Sequence, residues 1–289
     1  MRPWCGNNFF IKPHKKDGKR FVWIYGCCVK EDIGESLPVE DFEKILDSDI
    51  QTFEDFINSY WKKYSCLQNK KLRCFDAETS RYKKNGKFQG INNCLLDFCN
   101  IRCEFCRWKN ERELYTKEDK EYYKNLYYRL LDKFAESSFQ FLRLTEYGEP
   151  LIFFDENVKF FEKIKKKKTI AITTNGILLD KYVPIFEKYK DTIKFDVCVS
   201  LNAYNAEIYK QKMGVDKFDK VLDNTLKARD FLARISFFLY DYEMQDKEIY
   251  RKYQDFKMNV LSKVFPLGQV EMISFNDIRT SRGELHYND

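Results

Sequence analysis

Three cysteines set close together carry the strongest chemical signal in this sequence: Cys99-Asn100-Ile101-Arg102-Cys103-Glu104-Phe105-Cys106. Thiolates at this spacing can hold three corners of a cubane [4Fe–4S] cluster and leave the fourth iron without a protein ligand. A bare iron corner is what a small chelating molecule needs. The competing reading is a structural zinc knuckle. A closed zinc site takes four ligands, commonly from paired Cys-x-x-Cys units, and no local fourth ligand completes this one. The chain has two histidines, His14 and His286, so a mixed Cys/His zinc site has few partners available.

Nine of the ten cysteines fall within the first 106 residues. The opening Met1-Arg2-Pro3-Trp4-Cys5 runs into polar and basic residues with no apolar signal region, and no apolar run is long enough to span a bilayer. A cytoplasmic protein with reduced thiols is therefore expected, and clustered reduced cysteines point to metal rather than to disulfides. Cys5, Cys27, Cys28, Cys66 and Cys74 precede the trio. A hairpin turning at Asp17-Gly18 would bring Cys5 toward the Cys27-Cys28 pair. A helix-like stretch with Phe42, Ile45, Leu46, Phe53 and Phe56 then leads to Cys66 and Cys74. On spacing alone these five are open to an auxiliary cluster, a zinc ribbon or buried thiols. Cys94 and Cys198, isolated in strand-like runs, are expected in the core, where lone cysteines pack as small hydrophobes.

The elements that must position the trio change texture along the chain. Residues 1–86 hold scattered cysteines and turn signals, whereas from 87 onward short β-like runs alternate with amphipathic helical segments. Strands are expected near 88–98, 139–147, 169–174, 195–201, 235–240 and 269–275. Helices are expected near 116–136, 156–167, 180–192, 205–231 and 246–264. Six strands separated by helices imply a parallel sheet with helices on its outer side, and sites in such sheets gather at the carboxyl ends of the strands. The trio follows the first of these strands. Lys+Arg exceed Asp+Glu by 51 to 45, a net charge of +6. The densest basic run, Lys165 to Lys168, sits at an expected helix end, where cations complement the dipole and are solvated. Neither a membrane nor a nucleic-acid partner is expected.

With an aromatic residue, Phe105, before its last cysteine, the Cys-x-x-x-Cys-x-x-Cys segment resembles the signature of the radical SAM superfamily. In that family the open iron binds the amino and carboxylate groups of S-adenosylmethionine. One electron then gives methionine and a 5′-deoxyadenosyl radical, which abstracts hydrogen from a substrate carbon. Tyr147-Gly148-Glu149-Pro150 resembles the family's GGEP motif, with Gly148 and Glu149 implied at the methionine amino group. Thr173-Thr174-Asn175-Gly176 resembles the end of the third strand, and Ser200-Leu201-Asn202-Ala203 the end of the fourth. Thr174, Asn175, Ser200 and Asn202 are thereby implied in cofactor binding, the last two at the ribose and carboxylate. The resemblance covers about residues 88–280 and implies an α/β fold, a partial (β/α)6 TIM-like barrel over 87–289. The ends of the last two strands, Tyr240 to Glu243 and Phe275 to Asp277, are implied on the substrate side. Asp241, Asp277, Arg279 and Arg282 are candidates there, with surface loop charges as the even alternative.

The first 86 residues resemble the half-SPASM module called a twitch domain, a small cysteine-rich α+β unit holding an auxiliary [4Fe–4S] cluster. The shared pattern is a cysteine, an Asp-Gly hairpin, a Cys-Cys pair and two further cysteines, and Ala77-Glu78-Thr79-Ser80-Arg81 matches the segment before the barrel. The resemblance implies four ligands among Cys5, Cys27, Cys28, Cys66 and Cys74, with Cys27 favoured over Cys28. It also implies an enzyme that draws electrons from a donor such as flavodoxin or ferredoxin and modifies a peptide or protein. The alternatives are dehydrogenation or epimerisation of a sugar or nucleotide-sugar, or a non-catalytic Fe–S or zinc protein that binds nucleic acid.

Overall fold

Asp17 and Gly18 both take positive φ, 52° and 74°, as a two-residue hairpin turn with the right-handed twist of its strands requires. They join β1 (Asn8–Lys16) to β2 (Lys19–Tyr25), and β3 (Gly34–Pro38) adds antiparallel to β2. Two amphipathic helices follow, α1 (Val39–Asp47) and α2 (Ile50–Tyr64), which bury Phe42, Leu46, Phe53 and Ile57. The computed structural model describes residues 8–25, 34–64, 90–106, 111–144 and 148–274.

The β-α alternation then proceeds in chain order. It runs β4 (Gly90–Asn93), α3 (Lys117–Glu136), β5 (Phe141–Leu144), α4 (Phe154–Lys163), β6 (Lys168–Thr174), α5 (Leu179–Tyr189) and β7 (Ile193–Ser200). It continues through α6 (Ala206–Met213), α7 (Phe218–Lys227), β8 (Leu232–Leu239), α8 (Asp241–Gln245), α9 (Lys247–Asn259) and β9 (Val270–Ser274). Strands β4 to β9 are parallel neighbours in sequence order. This is the α/β partial barrel expected from the sequence. Among the described residues no helix is long and apolar enough to cross a membrane.

Alternation along the strands separates two faces. Ile91, Leu142, Ile170, Val197, Ile235 and Phe237 join the helices in one apolar core. The opposite face, matched by register, carries the apolar Phe10 and Ala171 but is otherwise Asn92, Arg143, Asp196, Cys198, Arg234, Ser236 and Glu271. A parallel sheet packed by helices on both sides would be apolar on both. A polar second face marks the inside of an open barrel.

Several boundaries depart from expectation. The first barrel strand ends at Asn93 rather than near 98: the Asn93 side chain accepts from Leu95 N (3.3 Å), while 94–97 stay buried. The expected helix over 205–231 is two helices, because Gly214 takes φ +71 as a left-handed cap closing α6. Lys168 is not solvated. It opens β6 almost fully buried, donating to Ser137 O and Phe139 O at 2.7 and 2.8 Å, in the turn that follows α3. Cys94 is buried against Phe10 and Tyr25. Cys198 differs from a core thiol: it is half-buried on the polar face beside Arg234.

The hairpin of β1 and β2 does not stand apart from the barrel. β1 pairs parallel with β4, so one nine-stranded sheet runs from β3 to β9. Ile11, Val22, Ile24 and Phe42 share the barrel's core. The change of sequence texture at residue 86 therefore does not coincide with a break in the sheet. Cys5, Cys27, Cys28, Cys66 and Cys74 lie outside the described residues, as do Tyr147, Asp277, Arg279 and Arg282.

Candidate active site

The trio sits on the loop that leaves β4 after the buried run 94–97. Cys99, Cys103 and Cys106 are half-buried thiols, and Cys106 N donates to Cys103 O at 3.2 Å. Three elements fix this loop. The first is the segment after β5. Glu149 N donates to Phe98 O at 2.6 Å. A Cβ on Gly148 would lie 2.5 Å from Phe98 O and 2.8 Å from Leu96 O, so only glycine allows the approach.

The second is the end of β6. Asn175 Nδ2 donates to Asn100 Oδ1 at 2.7 Å, inside the cysteine motif itself. Glu149 organises this end. Its Oε1 accepts from Thr174 Oγ1 (2.8 Å) and Leu151 N (3.1 Å), and its Oε2 from Asn175 N (2.7 Å). Burial pushes the Glu149 carboxyl up to about 7, against the pull of those three donors. A carboxylate offers about four acceptor directions, so these three donors leave one for a further donor such as an ammonium group. Gly176, at φ +81, turns the chain out of the strand.

The third is the end of α6, which sequence reasoning missed. Lys212 O accepts from Glu104 N at 2.9 Å, and Met213 Sδ lies 3.8 Å from Cys103 Sγ. A Cβ on Gly214 would meet Arg102 O at 2.8 Å. Asn202, at φ +60 after β7, donates from Nδ2 to Met213 Sδ (3.4 Å) and accepts at Oδ1 from Phe238 N (3.0 Å). Ser200 is half-buried at the end of β7, in register with Ser236. The Phe105 ring lies 6.2 Å from Phe238 and 6.3 Å from Tyr240. Glycine after a helical run was the one legible sign of this third contact. Lys212 and Met213 have no signature of their own.

Among the described residues, no three Cys, His, Asp or Glu side chains converge as they would around a single metal ion. A cubane cluster is several ångströms across, and its thiolates surround it rather than meet at a point. Three thiols spread over one loop, with backbone held from three sides, fit that larger group, and their donor chemistry is that of an iron–sulfur site. Cys99, Cys103 and Cys106 would hold it; Asn175 bonds the loop directly, while the side chains of Glu149 and Asn202, at neighbouring strand ends, bond Asn175 and Met213.

Three cysteines on one loop at the carboxyl mouth of a parallel partial barrel suit an iron–sulfur enzyme. The chain belongs to the radical SAM superfamily, whose model matches residues 94–252. It is 28% identical over 181 residues to "Molybdenum cofactor biosynthesis protein 1" of Dictyostelium discoideum, covering 62% of this chain and 28% of that protein. It is 33% identical over 151 residues to a "Probable GTP 3′,8-cyclase" of Methanococcus maripaludis, covering 47% of this chain and 46% of that protein. The chain thus spans less than half the length of either. Native anSMEcpe with bound AdoMet is 17% identical with a TM-score of 0.42, over 63% of this chain and 51% of that structure.

Proposed function

We propose that this enzyme cleaves S-adenosylmethionine reductively at the Cys99–Cys103–Cys106 loop and abstracts hydrogen from a polar substrate inside the barrel. The observation that carries the first half is the loop's attachment to three strand or helix ends, with Glu149 buried at their junction. When bound, a [4Fe–4S] cluster supplies the electron that splits S-adenosylmethionine into methionine and a 5′-deoxyadenosyl radical. The chain's own part is to hold the three thiolates, to offer Glu149 to the ammonium, and to present Asn202 and Ser200 to hydroxyl or carboxylate groups. The electron comes from a small reductant of the flavodoxin or ferredoxin type.

For the substrate, the polar inner face is the guide. Asn92, Arg143, Asp196, Arg234 and Glu271 suit a hydrophilic molecule better than an apolar one. The named relative that acts on GTP supports a purine nucleotide ahead of the peptide or protein expected from the twitch resemblance. A carbohydrate shares the same polar chemistry and stands second. The experiment is deuterium transfer. Reduced enzyme with S-adenosylmethionine and ribose-deuterated GTP should yield deuterated 5′-deoxyadenosine. Cofactor cleavage with no label from GTP, but with label from a deuterated sugar nucleotide or peptide, would move the assignment to that class.

A further inference from the structure

Behind the cysteine loop lies a buried ion pair that the reaction as described does not use. Lys212 Nζ and Glu243 Oε2 are 2.5 Å apart, with side chains 2% and 4% exposed. Lys212 Nζ also donates to Phe238 O (2.9 Å) and the Tyr253 hydroxyl (3.0 Å). Glu243 Oε2 accepts from Tyr240 N (2.7 Å), and the Tyr253 hydroxyl donates to Glu243 Oε1 (2.9 Å). Residues of β8, α8 and α9 therefore converge on one ammonium. The backbone of that same lysine accepts from Glu104, and its neighbour Met213 touches Cys103.

A buried ion pair is a poor way to gain stability, since apolar side chains of similar size commonly do as well or better. What it supplies is directional geometry. We propose that Lys212 is a positioning residue: its pair with Glu243 clasps the substrate-side segment 240–243 to the cysteine loop, fixing Glu104 and Met213 against Cys103. The inference deepens the proposed reaction and rests on it only where S-adenosylmethionine binding is read.

The test compares the anaerobically reconstituted full chain as wild type, Lys212→Met and Lys212→Met/Glu243→Leu. Amide exchange at Glu104 needs neither cluster nor turnover. It should be about tenfold faster in both variants, as loss of one ordinary hydrogen bond allows. The double variant should regain the wild-type melting temperature, yet still exchange fast at Glu104 and bind S-adenosylmethionine about tenfold more weakly, with an altered electron paramagnetic resonance signal on its addition. Return of slow exchange and wild-type affinity together with stability would reduce the pair to a structural role and overturn the proposal. Should neither variant fold, Tyr253→Phe should shift Glu104 exchange in the same direction, and unchanged exchange there overturns it too. A wild type that makes no 5′-deoxyadenosine would count against the proposed reaction, while the Glu104 comparison would still decide the clasp.

Discussion

At Glu149, burial and hydrogen bonding pull in opposite directions, and burial prevails. With its folded value raised to about 7 from 4.5, this group favours the folded state fully below pH 4.5, and that contribution is lost as pH rises through 7. Relative to Glu149→Gln, the wild type should lose about 3 kcal/mol of stability between those limits, measurable by urea titration of the apo protein at several pH values. A flat difference would mean that the three donors keep the carboxylate ionised throughout. The cysteine trio and Glu149 were legible because spacing and motif are properties of adjacent residues. The contact of Asn100 with Asn175 was not, because it joins positions 75 apart. Nor was Met213 beside Cys103, since a methionine at a helix end reads as core filling.

Among elements, the join between the hairpin and the barrel turns on Asp119. It closes the capping box of α3 with Thr116, and its carboxylate also binds Lys15 Nζ (2.6 Å) and Arg20 Nε (2.7 Å) from the hairpin. Burial alone would raise this carboxyl, but Lys15, Arg20 and Thr116 outweigh it and hold it well below the usual carboxylate range. Its contribution is therefore present above the ordinary value near 4 and lost as pH falls through the lower folded one. Asp119→Asn should cost about 3 kcal/mol at neutral pH and expose the amides of β1 and β2 to exchange first. Equal protection in variant and wild type would contradict this docking. Tyr123 reinforces it, its hydroxyl lying 2.8 Å from both His14 O and Phe21 O. The hairpin turn and the alternation of strands and helices were readable from Asp17-Gly18 and from apolar periodicity. That β1 would pair with β4 was not, because periodicity tells which face of a strand is buried and nothing about its neighbour. The break at Gly214 is masked in the sequence because the apolar pattern continues across it.

Over the whole molecule, the polar inner face and the thiol-bearing mouth make one enzyme of the nine-stranded sheet. The cysteines before the barrel carry a separate proposal, a second cluster held by four of Cys5, Cys27, Cys28, Cys66 and Cys74. If it forms, Cys66→Ala should lower iron from about eight to about four per chain without affecting the first cluster, and unchanged iron would remove the auxiliary site alone. The central claim rests on the other cysteines. Anaerobically reconstituted, chemically reduced protein supplied with S-adenosylmethionine should release 5′-deoxyadenosine and methionine in equal amounts, and Cys103→Ala should release neither. Equal product from wild type and Cys103→Ala, or none from the iron-loaded wild type, would contradict the account.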